Sequence, residues 1–167
     1  MNIIAAILVI IISIILALHL TNKEKRHCKE LNDTIDLITD IKNYALIYGD
    51  SVFDSISRCH KTQKYNSLDF ITDFICISDS NSNTPETWKT AVINSKSSLY
   101  QWERDVVIHF VEDICVSSRQ TLTDCFDKAI NDLNQFKENA HEKKKKTEQT
   151  GVIFAVSTGV MIALLVI

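Results

Sequence analysis

Two apolar runs bracket the chain. Ile3 to Leu20 and Gly151 to Ile167 contain no Lys, Arg, Asp or Glu, and all 18 Lys and Arg and all 21 Asp and Glu fall between Lys23 and Glu148. The first run approaches the roughly 20 apolar residues that a helix needs to cross about 30 Å of hydrocarbon. The second, if helical, reaches about 25 Å at about 1.5 Å per residue, so local thinning or an added residue such as Thr150 would complete a span. The pattern predicts membrane helices over 1–21 and 151–167 and a domain over 22–150. A cleaved signal peptide would show a basic region before its apolar core and small residues after it. Only Met1 and Asn2 precede this core and Thr21-Asn22-Lys23 follows, so an uncleaved anchor is expected.

Between the runs the spacing is helical. Leu31, Ile35, Ile38, Ile41, Ala45 and Tyr48 recur at steps of three and four, which continues the first helix to a stop at Gly49. Asp50 or Ser51 is placed to cap a short helix carrying Val52, Phe53, Ile56 and Cys59, and another follows with Leu68, Ile71, Phe74 and Ile75. Ser78 to Asn83 is polar throughout and reads as a surface loop. Thr84 then stands as an N-cap, with Pro85 in the first turn, where its missing donor costs nothing, and Glu86 at the positive helix end. Trp88, Ala91 and Val92 form that helix's apolar side. Leu99, Trp102, Val106, Phe110 and Ile114 make a further stripe, and Leu122, Phe126, Ala129, Leu133, Phe136 and Ala140 a long one aimed at the second run. Turn residues are too scarce for strands. The expected fold is all-α: a compact antiparallel helical bundle between two transmembrane helices that continue into its longest helices.

Charge gives the orientation. Lys23, Lys25, Arg26 and Lys29 follow the first run and Lys143, Lys144, Lys145 and Lys146 precede the second, so positive-inside logic puts the intervening domain in the cytoplasm. These residues are candidate membrane-flank cations facing the lipid bilayer. The formal net charge of −3 argues against nucleic acid, which needs a basic face. Five cysteines, Cys28, Cys59, Cys76, Cys115 and Cys125, show no CxxC and no zinc spacing. They read as reduced small hydrophobes, and the Cys59-His60 pair points apart on a helix.

Catalytic patterns are weak. Three glycines cannot supply a phosphate-binding loop or a dinucleotide turn, and no serine sits in GxSxG. His109, Glu112 and Asp113 would need a shared pocket to do chemistry. Neither a cofactor nor a small-molecule substrate is therefore expected, and no enzyme activity. Trp88 and Trp102 each fall on an apolar stripe, as core anchors or as hot spots for a partner. Gly151, Ala155 and Gly159 recur every four residues, a face on which another membrane helix could pack closely.

The order of these parts resembles the stage III sporulation protein AB family. The resemblance rests on the N-terminal run with its basic flank, the helix closing in Ile47-Tyr48-Gly49, Trp88 near the start of a mid-chain helix, Leu133 in the long helix, and the Lys-rich approach to an apolar segment containing Gly159. Members commonly have a Leu-Gly turn where Ile114-Cys115 stands, and a glutamine where Leu122 and Thr123 stand. The resemblance implies a mother-cell membrane component of the complex of stage III A proteins, which joins mother cell and forespore. It also implies a helical domain like the platform proteins of type II secretion and type IV pilus systems, which engage a cytoplasmic motor ATPase. The alternatives are a platform outside sporulation and a membrane-tethered sensor or small enzyme.

Overall fold

The computed structural model describes residues 2–78, 83–118 and 120–166, without the side chains of 2–10, 13, 14, 16, 17, 20, 152, 154–156, 158–160 and 162–166. Among the described residues the fold is all-α. Its helices are α1 (Asn2–Asn43), α2 (Val52–Lys61), α3 (Asp69–Ser78), α4 (Pro85–Asn94), α5 (Gln101–Val116) and α6 (Leu122–Val166), with a π-turn at Tyr44–Tyr48 closing α1. The chain groups into two compact units, one of Lys29–Lys137 and one of Met1–Cys28 with Glu138–Ile167. Among the described residues no helix is long and apolar enough to cross a membrane.

In the Lys29–Lys137 unit, the buried face of α1 is Leu31, Ile35, Ile38, Ile41 and Ala45, the spacing the sequence predicts. Tyr48 leaves that face and is 65 % exposed. The cause is the π-turn, which holds more residues per turn than an α-helix and so rotates the residues at its end away from the α1 stripe. Gly49 ends it at φ 73°, its N–H donating to the Tyr44 carbonyl. The Tyr44 and Tyr48 rings lie 5.9 Å apart, with the Arg58 guanidinium 5.2 Å from the first and 5.7 Å from the second.

The caps explain where the short helices begin. The Ser51 hydroxyl accepts from the Asp54 amide at 3.1 Å, and the Thr84 hydroxyl from the Thr87 amide at 3.2 Å, each supplying one of the acceptors that a helix start lacks. Residues 79–82, inside the expected polar loop, lie outside the described residues. Trp88 holds the middle of the domain with no exposed surface. Its ring meets Phe70 and Phe74 edge-on at 5.6 and 5.5 Å, contacts worth about 0.5–1.5 kcal/mol each beyond the area they bury. Its indole N–H donates to the Val107 carbonyl at 2.8 Å, which ties α4 to α5.

Helix α5 corrects the sequence reading. Its buried face is Glu103, Val107, Ile108, Phe110, Val111 and Ile114, whereas Val106 is half-buried and Trp102 is 55 % exposed. Glu103 takes a core position because its carboxylate accepts from the Tyr100 amide at 2.7 Å, capping the helix from inside. The turn after α5 is built on Ser118, whose carbonyl accepts from the Thr121 and Leu122 amides at 3.1 Å. Of the stripe predicted for α6, Phe126, Ala129, Leu133 and Ala140 are buried, while Leu122 and Phe136 are half-buried.

Candidate anchoring and docking surfaces

Three of the flank cations, Lys25, Lys143 and Lys146, stand close to acids of their own unit. In the terminal unit Lys143 Nζ stands 3.0 Å from Glu24 Oε1 and Lys25 Nζ 3.8 Å from Glu148 Oε1, so ion pairs tie α1 to α6 there. Lys146 pairs with Glu142 at 3.8 Å along α6. Lys23, Lys25, Arg26, Lys143, Lys145 and Lys146 are exposed and Lys144 is half-buried; Lys29 is exposed on the other unit. Glu24 is only 8 % exposed, and its Oε2 has no hydrogen-bond partner. A buried carboxylate of this kind is tolerated only when a cation stands against it, which Lys143 supplies.

Beside these charges, large apolar side chains face outward. Ile11, Ile12, Ile15 and Leu18 on α1 and Ile153 and Met161 on α6 are each between 46 % and 66 % exposed. Of the small-residue face, Gly151 is half-buried, and the side chain of Ala155 and the surroundings of Gly159 lie outside the described residues.

Glu30 is a polar anchor within the domain. At 4 % exposed, its carboxylate accepts from the Ser98 amide at 2.8 Å and from the Ser98 hydroxyl, pinning the α4–α5 loop to α1. Arg104 holds the same loop, donating to the carbonyls of Leu99, Ile93 and Ser97 at 3.2, 3.3 and 2.7 Å. On the loop so fixed, the Tyr100 ring stacks on Trp102 at 4.8 Å.

Sequence reasoning passed over Glu24, His27 and Glu30, all buried on α1. For Glu24 the signal was available. Counting back by sevens from Ala45 through Ile38 and Leu31 reaches Glu24, a repeat that holds one helix face.

A cluster around Asp40 joins α1 to the chain after α2. Asp40 Oδ2 accepts from the Tyr65 hydroxyl at 2.5 Å and from Lys64 Nζ at 2.9 Å, closing the α2–α3 turn onto α1. Burial first and Asp40 second push the Tyr65 phenol up, while the Tyr65 hydroxyl and then Asp40 push Lys64 up. Burial, then the charge of Asp40, moves the Cys59 thiol from its ordinary 9.0 to about 11. Cys59 is thus a protonated core residue rather than a nucleophile.

His109 and its neighbours meet at a groove between α5 and α6. A half-open space of about 170 Å³ is lined by Asp105, Val106, His109, Phe110, Asp113, Cys125, Lys128, Ala129 and Asp132. Glu112 is not among its lining; its carboxylate lies 2.7 Å from His109 Nδ1 and 3.9 Å from Lys89 Nζ. The His109 side chain is 67 % exposed, which leaves it in solvent rather than in the water-poor setting that catalytic groups need. Among the described residues no group of three or more His, Cys, Asp or Glu could hold a metal ion.

The family model for stage III sporulation protein AB (spore_III_AB) matches residues 2–167. The chain belongs to the stage III sporulation protein AB family. Membership makes it a stage III sporulation protein, from a family not known for enzymes. Comparison with curated proteins and with solved structures gave no match. Helix α5 runs through Ile114-Cys115 to Val116, and the chain turns at Ser118.

Proposed function

We propose that this protein is a non-enzymatic, two-span membrane platform of the stage III A complex, coupling a cytoplasmic motor ATPase to a channel between mother cell and forespore. The observation that carries the membrane part is the outward-facing Ile11, Ile12, Ile15, Leu18, Ile153 and Met161. Large apolar side chains grouped this way seek a nonaqueous neighbour, and each apolar run is flanked on its inner side by a cluster in which bases outnumber acids. Both clusters belong to the intervening chain, which supports a cytoplasmic domain; the mother-cell membrane rests on the family alone.

The platform part rests on the family and on a helical domain that offers surfaces rather than a catalytic cavity. Its partners are the other stage III A proteins, among them the ATPase, and the lipid bilayer. Gly151, Ala155 and Gly159 supply a face for close packing with another membrane helix. Deletion of the gene, followed by microscopy of sporulating cells, is expected to show arrest after engulfment; normal spores would remove the role. Gly159→Leu is expected to lower co-purification of the other stage III A proteins, and unchanged recovery would remove the packing face.

A further inference from the structure

We propose that the groove between α5 and α6 receives a basic amphipathic helix of a partner protein, which inserts an arginine or lysine between the two helices. The size of the groove argues for a side chain. Sites for drug-sized ligands run about 300–1,000 Å³, so about 170 Å³ is small for a nucleotide but takes one long side chain. Its composition selects which one. Phe110 and Ala129, 3 % and 5 % exposed, form an apolar floor, and Asp105, Asp113 and Asp132 outnumber the cations at the rim. A basic side chain can lay its aliphatic stem on such a floor and carry its charge to the carboxylates, and a guanidinium matches them best. Asp113 and Asp132 hold no side-chain ion pair among the described residues, so they are available to such a guest.

The surface around the groove has the length of a helix. Trp102, Asp105, His109, Asp113 and Val116 succeed one another on one face of α5 over about 21 Å at about 1.5 Å per residue. The ends of that stripe are apolar, with Trp102 55 % and Val116 86 % exposed. Trp102 is also held in place in advance by its stacking on Tyr100 and by the Glu30 and Arg104 contacts of the loop. An exposed tryptophan on a rigid support is the residue type that dominates interface energies, and preorganisation reduces what binding costs.

Charge excludes the other occupants. Lys29–Lys137 carries 17 Asp and Glu against 11 Lys and Arg, a net of −6, so a two-fold contact of this face with a second copy would set acid against acid. Anionic lipid head groups would be repelled in the same way. The inference rests on the platform reading only in requiring a protein partner.

The test uses the full chain in nanodiscs of zwitterionic lipid. The probes are an 18-residue helical peptide with leucine and arginine on one face and the same peptide with glutamate replacing arginine. Trp88 is fully buried, so a change of tryptophan emission on binding reports Trp102. The arginine peptide is expected to bind saturably with a blue shift, and the glutamate peptide not to bind. The double variant D113N/D132N and, separately, W102A are expected to bind about tenfold more weakly with unchanged melting temperatures. Equal binding by D113N/D132N, equal binding by empty nanodiscs, or a concentration-dependent dimer that masks Trp102 would each overturn the proposal. Loss of peptide binding together with sporulation arrest on gene deletion would sink the groove alone. Retained peptide binding with normal spores would sink the platform alone.

Discussion

Glu30 shows what a single buried side chain does for this fold. With almost no exposed surface, it closes the α4–α5 loop onto α1 through the Ser98 amide and hydroxyl. Removing the acceptor leaves a half-buried amide without a partner, which costs about 1–3 kcal/mol. Glu30→Ala is therefore expected to lower the free energy of unfolding by about that amount in urea titration, and an unchanged midpoint would contradict the anchoring role. The position was hard to read because a glutamate beside Leu31 looks like a solvated residue until its loop partner, 68 residues away, is known.

Cys59 gives a pH dependence with a definite sign. Its thiol is raised from 9.0 to about 11 in the fold, so between those values the folded chain holds a proton that the unfolded chain has lost. Stability is full below pH 9 and falls as pH rises toward 11. Tyr65 and Lys64, both also raised, act in the same direction at the upper end. Cys59→Ala is expected to flatten the fall of melting temperature across pH 9–11, and an identical slope in the variant would contradict the assignment.

Among the elements, the short helices were the most legible. Ser51, Thr84 and Pro85 signal their starts through the local chemistry of unpaired amides, which depends on neighbours in sequence alone. The phase of α5 was less so: Trp102 and Val106 look apolar and Glu103 looks polar, yet the helix buries Glu103 and exposes Trp102. A stripe reports periodicity but not which of two adjacent apolar rows meets the core. The π-turn was invisible for a similar reason, since nothing local in Tyr44–Tyr48 demands an extra residue in the turn.

Backbone conformation at two turns is testable at this scale. Gly49 sits at φ 73° with nothing within 4 Å of the place a methyl group would take, so Gly49→Ala meets no clash and carries only the left-handed backbone cost of about 1 kcal/mol. Gln63 bears a similar strain at φ 56°, so Gln63→Gly is expected to offset that loss in whole or part. Thermal denaturation of the two variants checks both signs; a stabilised Gly49→Ala or a destabilised Gln63→Gly would contradict the account.

At the scale of the whole molecule, charge-free ends and a charged helical middle were legible because hydropathy and charge are sums over many residues. The α5–α6 groove was not, because it needs two ridges, Asp105-His109-Asp113 and Cys125-Ala129-Asp132, brought together by folding. His109 and Asp113 could be named in advance as residues that would need a shared pocket. Asp132, Ala129 and Lys128 as its other wall could not. The family matches the chain from 2 to 167, which agrees with a reading in which ends and middle work as one protein.

The arrangement in the membrane is the central claim, and a topology reporter inserted after Thr84 tests it most directly. In cells, the account predicts activity from a reporter that works only in the cytoplasm and silence from one that works only across the membrane. Activity from the second reporter would place the domain on the opposite side and contradict the coupling of a cytoplasmic motor through this protein.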